Sequence, residues 1–397
     1  MPNRLKLAGV VTRYFKYSHA QHIIDRFLDG YGWSGSYHHP PMDLVALYVD
    51  QVGPDDLSHE RAARHPEMKT YPTIAEALAC GGSQLAVDGV VVVGEHGHYP
   101  RNEKGQTEYP RYRFFQEVVK VFRSSKRVVP VFSDKHLSWN WEWAKEMYDT
   151  SRSMQFPFMA GSSLPVTWRI PSVEMPLGSD VREALCVCYG GVDSYDFHGL
   201  ETVQCMVERR KGGEVGVKWL QAYRGDRFWD ALKEGVWPFD LMKAALCRSH
   251  TLTPARPGFN DIFPTREQMR QLTKNPVAYT YEHEDGVRCT MLLMNGLIRD
   301  FNFAARLGNS PKIFSTQMYL PMPDGRTTLA DFFSPLVNHM EDMFLTGKPP
   351  YPIERTLLTT GLTASGVESL YRNQTRVETP HLAIRYSPNP QSTFERS

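Results

Sequence analysis

Two short polar clusters hold the densest chemistry in this 397-residue sequence. Gly94-Glu95-His96-Gly97-His98-Tyr99 and Ser133-Asp134-Lys135-His136 each set a carboxylate beside imidazole, and the second adds a primary amine. Carboxylates and imidazoles converging from neighbouring loops suit a divalent metal or a general acid/base pair. Zinc, manganese and iron all accept such a mixed nitrogen and oxygen set. Any single histidine here is explained as well by helix capping or a loop hydrogen bond; it is the joint occurrence that points to function. For Lys135, the neighbouring Asp134 favours the charged form and burial opposes it, so the amine can polarise a substrate oxygen or donate a proton.

A third candidate is the segment Phe197-His198-Gly199-Leu200-Glu201. On a helix, His198 and Glu201 share a face, giving two metal ligands or an imidazole oriented by a carboxylate. A helix N-terminus carrying an acid favoured by the macrodipole explains them equally. Of the six candidate ligands Glu95, His96, Asp134, His136, His198 and Glu201, three or four are expected to coordinate, because adjacent strand residues point to opposite faces. The charged run Glu208-Arg209-Arg210-Lys211-Gly212-Gly213-Glu214 reads as a solvated helix end. Trp139, Trp141, Trp143 and Trp168 form an aromatic group that suits core packing or sugar stacking. The polar segment 99–111 reads as a lid or an oligomer contact.

The elements that must position these groups follow from the apolar period. Leu7-Ala8-Gly9-Val10-Val11 predicts a strand. Residues 18–28 predict a helix with Ile23, Ile24, Phe27 and Leu28 on one side, and 43–50 a second strand. Thr73, with Glu76 three residues on, opens a short helix. The run 87–93 predicts a strand buried on both faces; a helix at 112–122 leads to a strand at 127–132. This alternation means a parallel sheet with right-handed crossovers, and ligands gather at the carboxyl ends of such strands, where both clusters fall. Beyond residue 150, runs at 184–189, 215–223, 277–283, 287–293 and 298–307 suit an antiparallel sheet, with Glu284-Asp285-Gly286 as a hairpin turn. Helices at 329–345 and 353–371 follow, then a strand at 381–386. The reading is an α/β chain: a Rossmann-like doubly wound parallel sheet over 1–150 and an α+β domain with an open, mostly antiparallel sheet over 151–397. The second domain is the one for substrate and oligomerisation, with helix 353–371 able to pack back on the first.

Lys and Arg number 45 against 44 Asp and Glu, a formal charge of +1, so no global field attracts nucleic acid or an anionic membrane. The longest apolar runs fall far short of the ~20 residues that span a bilayer, and the N-terminus lacks a secretory apolar region; the reading is cytoplasmic. Six scattered cysteines argue against a disulfide framework, and Cys186 and Cys188 share one strand face as a buried thiol pair.

The order of elements resembles the glucose-fructose oxidoreductase and inositol dehydrogenase (Gfo/Idh/MocA) family over nearly the whole chain. Residues 43–50 resemble its second strand with a terminal acid, Asp50. Tyr71-Pro72-Thr73-Ile74-Ala75-Glu76-Ala77-Leu78 and Val87-Asp88-Gly89-Val90-Val91-Val92 resemble the two segments that follow. Asp134-Lys135-His136 stands where the family carries Glu-Lys-Pro, Gly190-Gly191 with His198 looks like its helix-opening stretch, and 352–369 is similar to its closing helix. The resemblance implies a homo-oligomer, a small-molecule substrate, and site roles for Lys135 and His198, the latter facing the same cleft.

The sequence also departs from this family. The three glycines of a dinucleotide loop let the backbone approach the pyrophosphate; counted back from His19, their places hold Val11, Arg13 and Lys16. The catalytic Asp falls on Ser194, and Glu95-His96 replaces a threonine-proline-asparagine type of turn. These departures make NAD(P) doubtful and favour non-redox chemistry: metal-assisted or acid/base hydrolysis or elimination on a small polar, carbohydrate-like substrate. In that reading Glu95, His96, Asp134, His136 and His198 serve as ligands or bases and Lys135 polarises the substrate. The alternative is an NAD(P)-dependent sugar or polyol oxidoreductase. There Arg13 and Lys16 replace glycine amides by charge, Asp50 accepts from a ribose hydroxyl, and Lys135 and His198 handle the proton. A catalytically inactive binding subunit is the third reading.

Overall fold

The computed structural model describes residues 4–252, 263–308, 310–321 and 330–396. The chain divides into two units, Met1–Ser163 with Pro321–Leu357, and Leu164–Leu320 with Leu358–Arg396.

The first unit begins with strand β1 (Leu5–Val11), helix α1 (His19–Asp29) and a small hairpin, β2 (Tyr31–Trp33) and β3 (Ser36–His38). Then come β4 (Met42–Val49), α2 (Ser58–Arg64), β5 (Lys69–Thr70), α3 (Ile74–Leu78) and β6 (Gly89–Val93). The helix α4 (Arg111–Ser125), β7 (Val131–Asp134), α5 (Trp141–Met154) and β8 (Phe158–Gly161) complete the repeat. Six strands pair in parallel in the order β5-β4-β1-β6-β7-β8. The order reverses between β1 and β6, the switch point at which doubly wound sheets bind ligands. Register sets the edge there: Val11 pairs with Val93, and Val92 with Ser133, so the segments after β1, β6 and β7 emerge side by side.

Local chemistry accounts for these elements. All of β6 is buried, as a parallel strand covered on both faces must be. Ser18 caps α1 by accepting from the Gln21 amide, and Thr73 caps α3 by accepting from Glu76, each satisfying an orphan donor of the first turn.

The second unit contains β9 (Arg169–Ile170), β10 (Val181–Cys188), α6 (Tyr195–Val207), β11 (Val217–Arg224), α7 (Asp226–Glu234), α8 (Phe239–Leu246) and α9 (Arg266–Leu272). It continues with β12 (Lys274–His283), β13 (Arg288–Asn295), β14 (Phe301–Leu307) and β15 (Ile313–Met318). Helix α10 (Ser334–Thr346) belongs to the first unit; α11 (Ile353–Tyr371) crosses into the second, and β16 (Val377–Glu378) ends the series. The eight strands run β16-β11-β12-β13-β10-β14-β15-β9, antiparallel except where β10 meets β13.

Alternation divides this sheet cleanly. Leu185, Val187, Ala278, Leu292 and Ala304 share one core with Phe228, Trp237, Leu241 and Met269 of the α7–α9 region. On the other face, a Cβ at Gly199 of α6 would stand 2.6 Å from Met291 and 2.7 Å from Cys188, and one at Gly366 of α11 would stand 2.3 Å from the Tyr279 ring. Both faces are therefore covered by helices of the same chain.

Several expected boundaries differ, among them the strand expected at 127–132, which is β7 at Val131–Asp134. The helix expected at 329–345 begins at Ser334 after a 3-10 turn at Asp331–Phe333, and residue 329 lies outside the described residues. The strand expected at 298–307 starts at Phe301, because Ile298 pairs back on Asn295. In place of a strand at 381–386 there is a 3-10 turn, Pro380–Leu382, and a single bridge between Glu214 and Tyr386; Pro380 has no N–H for a ladder.

Candidate active site at the switch of the parallel sheet

The segments after β1 and β6 are tied together at once: Thr12 N donates to Val93 O at 3.1 Å and its hydroxyl donates to the Glu95 carbonyl. Next to them Gly94 lets the Arg111 stem cross the strand end, since a Cβ there would fall 2.5 Å from Arg111 Cγ. Glu95 then accepts from Arg111 Nη2 at 2.5 Å through Oε2 and from Lys135 Nζ at 2.9 Å through Oε1. The side chains of Glu95, Arg111 and Lys135 are only 8%, 1% and 4% exposed. Arg111 Nη1 also donates to His136 Nε2 at 3.3 Å, and its guanidinium lies 4.9 Å from the Tyr109 ring centroid.

Burial pushes the Glu95 carboxyl upward, but Lys135 and Arg111 outweigh it and hold the group well below the usual range. Burial, reinforced by Arg111, pushes His136 well below its ordinary value, so a neutral imidazole accepts from the guanidinium. Lys135 and His96 have φ of +61° and +69°, uncommon for residues with a side chain. Such outliers cluster at functional sites. The Lys135 backbone is held by its N–H to Gly161 O at 3.1 Å.

Asp134 faces the other way. His19 Nδ1, at the head of α1, donates to Asp134 Oδ2 at 2.8 Å, while buried Asp134 Oδ1 and His96 Nε2 have no hydrogen-bond partner among the described residues. Rings line this corner: His96 meets His19 at 5.5 Å and Phe15 at 5.3 Å edge-on, and His22 stacks on Phe333 at 5.0 Å. Burial, with His19 beside it, lowers His96 to about 4, and the same causes lower His22 to about 3.

The loop before α1 is cationic, and the first turn of α1 holds no acid. Arg13 is turned to Asp55, and the exposed Lys16 puts its ammonium 5.0 Å from the Tyr17 ring centroid. Val11 is wholly buried in β1. Asp50, just beyond β4, accepts from Tyr48 and Arg113 through Oδ1 and from Tyr99 through Oδ2. Burial would raise its carboxyl, but these three donors keep it below the ordinary value. Segment 99–111 thus closes on Asp50 through Tyr99, and on itself through a bridge between Arg101 and Thr107.

In the second unit, His198 Nδ1 and Glu201 Oε2 are 3.5 Å apart on α6, both buried. Near Ser194, Asp196 accepts from the Asp193, Ser194 and Phe197 amides and from the Tyr279 hydroxyl. The run at 208–214 is not a solvated end: Glu208, Arg209, Arg210 and Glu214 are buried. Glu214 accepts from Arg210 at 3.0 Å and His283 at 3.0 Å, and Tyr386 donates to Glu208, so pairing replaces water. Trp139 packs edge-on against Trp143, which stacks on Tyr112 at 4.8 Å, whereas Trp168 belongs to the second unit and meets Tyr319.

The sequence reading missed Arg111 and His19, the two groups that engage Glu95 and Asp134. The available signal was Gly94, whose missing side chain makes room for Arg111.

The expected metal centre is corrected by this geometry. Glu95 is engaged by two cations, Asp134 by His19 and His136 by Arg111, and His198 pairs with Glu201. Among the described residues no group of three or more His, Cys, Asp or Glu could hold a metal ion.

A Rossmann-like parallel sheet followed by a mostly antiparallel α+β sheet is the architecture of the Gfo/Idh/MocA oxidoreductases, as the sequence resemblance implied. Comparison with protein-family models gives no match, and comparison with curated proteins gives none. Among solved structures, the chain is similar to GenD2 from gentamicin A biosynthesis in complex with NAD, with TM-score 0.57 and 12% identity over 95% of this chain and 97% of that one. It is similar to myo-inositol dehydrogenase from Lactobacillus casei in complex with NAD(H) and myo-inositol, with TM-score 0.56 and 13% identity over 98% and 100%. A Gfo/Idh/MocA family oxidoreductase from Vibrio cholerae gives TM-score 0.51 and 14% identity over 93% and 99%. The expectation of a metal-dependent hydrolase or lyase, with a divalent metal and NAD(P) doubtful, is overturned: the neighbours include a dehydrogenase and an oxidoreductase, two of the three are in complex with NAD or NAD(H), and among the described residues no metal-binding group assembles.

Proposed function

We propose that this chain is an NAD(P)-dependent oxidoreductase acting on a small hydroxylated, sugar- or polyol-like substrate. The observation that carries the reading is a buried lysine ammonium, fixed by a carboxylate, at the carboxyl edge of the parallel sheet beside its switch point.

The residues at that edge fit a dinucleotide by charge. The N-terminus of α1 is free of acid and suits an anion, with Arg13 and Lys16 supplying charge in place of glycine amides. Arg13 pairs with Asp55 and the Lys16 ammonium lies against the Tyr17 ring, contacts that keep both cations in the loop before α1. Asp50 is ionised and can share an oxygen with a ribose hydroxyl. When bound, the nicotinamide supplies a hydride acceptor or donor. Lys135 then holds or moves the proton at the reacting substrate oxygen; within the second unit, His198 pairs with Glu201 along α6 at 3.5 Å. The reading extends to a cytoplasmic homo-oligomer; no helix among the described residues is long and apolar enough to cross a membrane.

Titration of the purified protein with NADH and NADPH, followed by nicotinamide fluorescence, is expected to give a Kd near the micromolar range, about −8 kcal/mol. No binding by either nucleotide at about 1 mM would overturn the reading. With a polyol or sugar that supports turnover, Lys135→Ala is expected to lower kcat by about 10²-fold or more; unchanged turnover would remove Lys135 from the chemistry.

A further inference from the structure

We propose that Glu95, anchored by Arg111, is the positioning residue of Lys135: it aims the ammonium and keeps it charged. This rests on the reading of Lys135 as the proton-handling group, while its evidence is separate. A lysine side chain is a flexible four-carbon stem ending in a point charge, so a defined direction at Nζ needs a fixed partner. Glu95 is fixed because each of its oxygens takes a different cation, Lys135 at 2.9 Å and Arg111 at 2.5 Å.

Arg111 is in turn held from three sides. His136 accepts from it at 3.3 Å, the Tyr109 ring lies against its guanidinium, and Gly94 leaves space that a Cβ, at 2.5 Å from Arg111 Cγ, would close. The lysine backbone is constrained as well, with φ +61° and a bridge to Gly161.

The charged and titratable groups around Lys135 come from four elements. Glu95 and His96 follow β6, Asp134 ends β7 and His136 comes just after Lys135, Tyr109 precedes α4 and Arg111 opens it, and His19 heads α1. Asp134 is turned to His19, and Glu95 is a carboxylate in contact with Nζ. A carboxylate at that distance favours the ammonium, and a second cation sharing it moderates the effect.

The test follows the Lys135 amine directly, without a substrate. Protein carrying [13Cε]lysine is titrated by NMR, with the Lys135 signal assigned by its loss in Lys135→Arg. In Glu95→Gln the midpoint of Lys135 is expected to fall by about one pH unit or more, and in Arg111→Lys, which keeps the charge, to stay near that of the wild type. If the wild-type midpoint lies above the accessible range, its appearance within range in Glu95→Gln supports the proposal. An unmoved midpoint, or two that both stay out of range, overturns it, because a merely structural Glu95 would lower the melting temperature without shifting the lysine. Should Glu95→Gln fail to fold, Glu95→Asp keeps the charge but shortens the reach. With a working substrate it is then expected to lower kcat tenfold or more at near-constant KM, and an unchanged kcat overturns the proposal. Turnover indifferent to Lys135→Ala defeats the oxidoreductase role of Lys135 whatever the titration shows, so the two failures are distinguishable.

Discussion

A carboxylate buried between two cations is held ionised by both, while the buried imidazoles of His22 and His96 stay neutral because burial disfavours their charged form. This makes stability depend on pH in a defined direction. His22 and His96 are lowered from 6.5 to about 3 and about 4 in the folded chain. Below pH 6.5 the unfolded state therefore binds protons that the folded state refuses. Stability is fully present above 6.5 and is lost as pH falls, down to about 4 for His96 and about 3 for His22, each with a slope of up to about 1.4 kcal/mol per pH unit. Urea unfolding from pH 7 to 4 is expected to show this decline, and His22→Gln and His96→Gln each to flatten it. An unchanged slope in both would mean that other groups carry the acid sensitivity. At this scale the sequence made the cluster legible but not its chemistry. Glu95, Asp134, Lys135 and His136 do converge at one sheet edge, yet a sequence lists donor groups without saying which cations will satisfy them. Arg111 stands sixteen residues from Glu95, and His19 more than a hundred from Asp134; no local pattern links either pair.

Elements were legible where one physical rule dominates. The fully apolar β6 and the capped starts of α1 and α3 follow from burial on both faces and from Ser18 and Thr73. Helices α7, α8 and α9 went unread, although Phe228, Ala231 and Leu232 show helical spacing. They have only 9, 8 and 7 residues, too short to form without tertiary support; what holds them is the sheet face they cover. On the opposite face close approach is the controlling term. A Cβ at Gly366 would come within 2.3 Å of the Tyr279 ring, whose hydroxyl donates to buried Asp196. Gly366→Ala is thus expected to destabilise the protein by about 1–3 kcal/mol, in the range of core overpacking, measured as a lower urea midpoint. A cost indistinguishable from zero would show that α11 can shift outward freely.

At the scale of the whole molecule the question is association, which needs a surface that the chain does not itself cover. Here β10, β12 and β13 bury Leu185, Ala278 and Leu292 under the chain's own α7–α9 region, and Cys188, Tyr279 and Met291 under α6 and α11. Neither face of those central strands is left to a partner. With a formal charge of +1, no long-range field favours or opposes assembly either, so contact must rest on local surfaces. Any homo-oligomer is accordingly expected to use surfaces other than the central strands, with helices or loops meeting instead. Hydrogen exchange measured across a hundredfold range of protein concentration checks this. Amides of β10 and β13 should keep the same protection throughout, while any concentration-dependent protection appears in helices or loops. Protection that rises with concentration at β10 or β13 themselves would mean that α7–α9 move aside to admit a second copy, and that the covering of the sheet is conditional on the chain being alone.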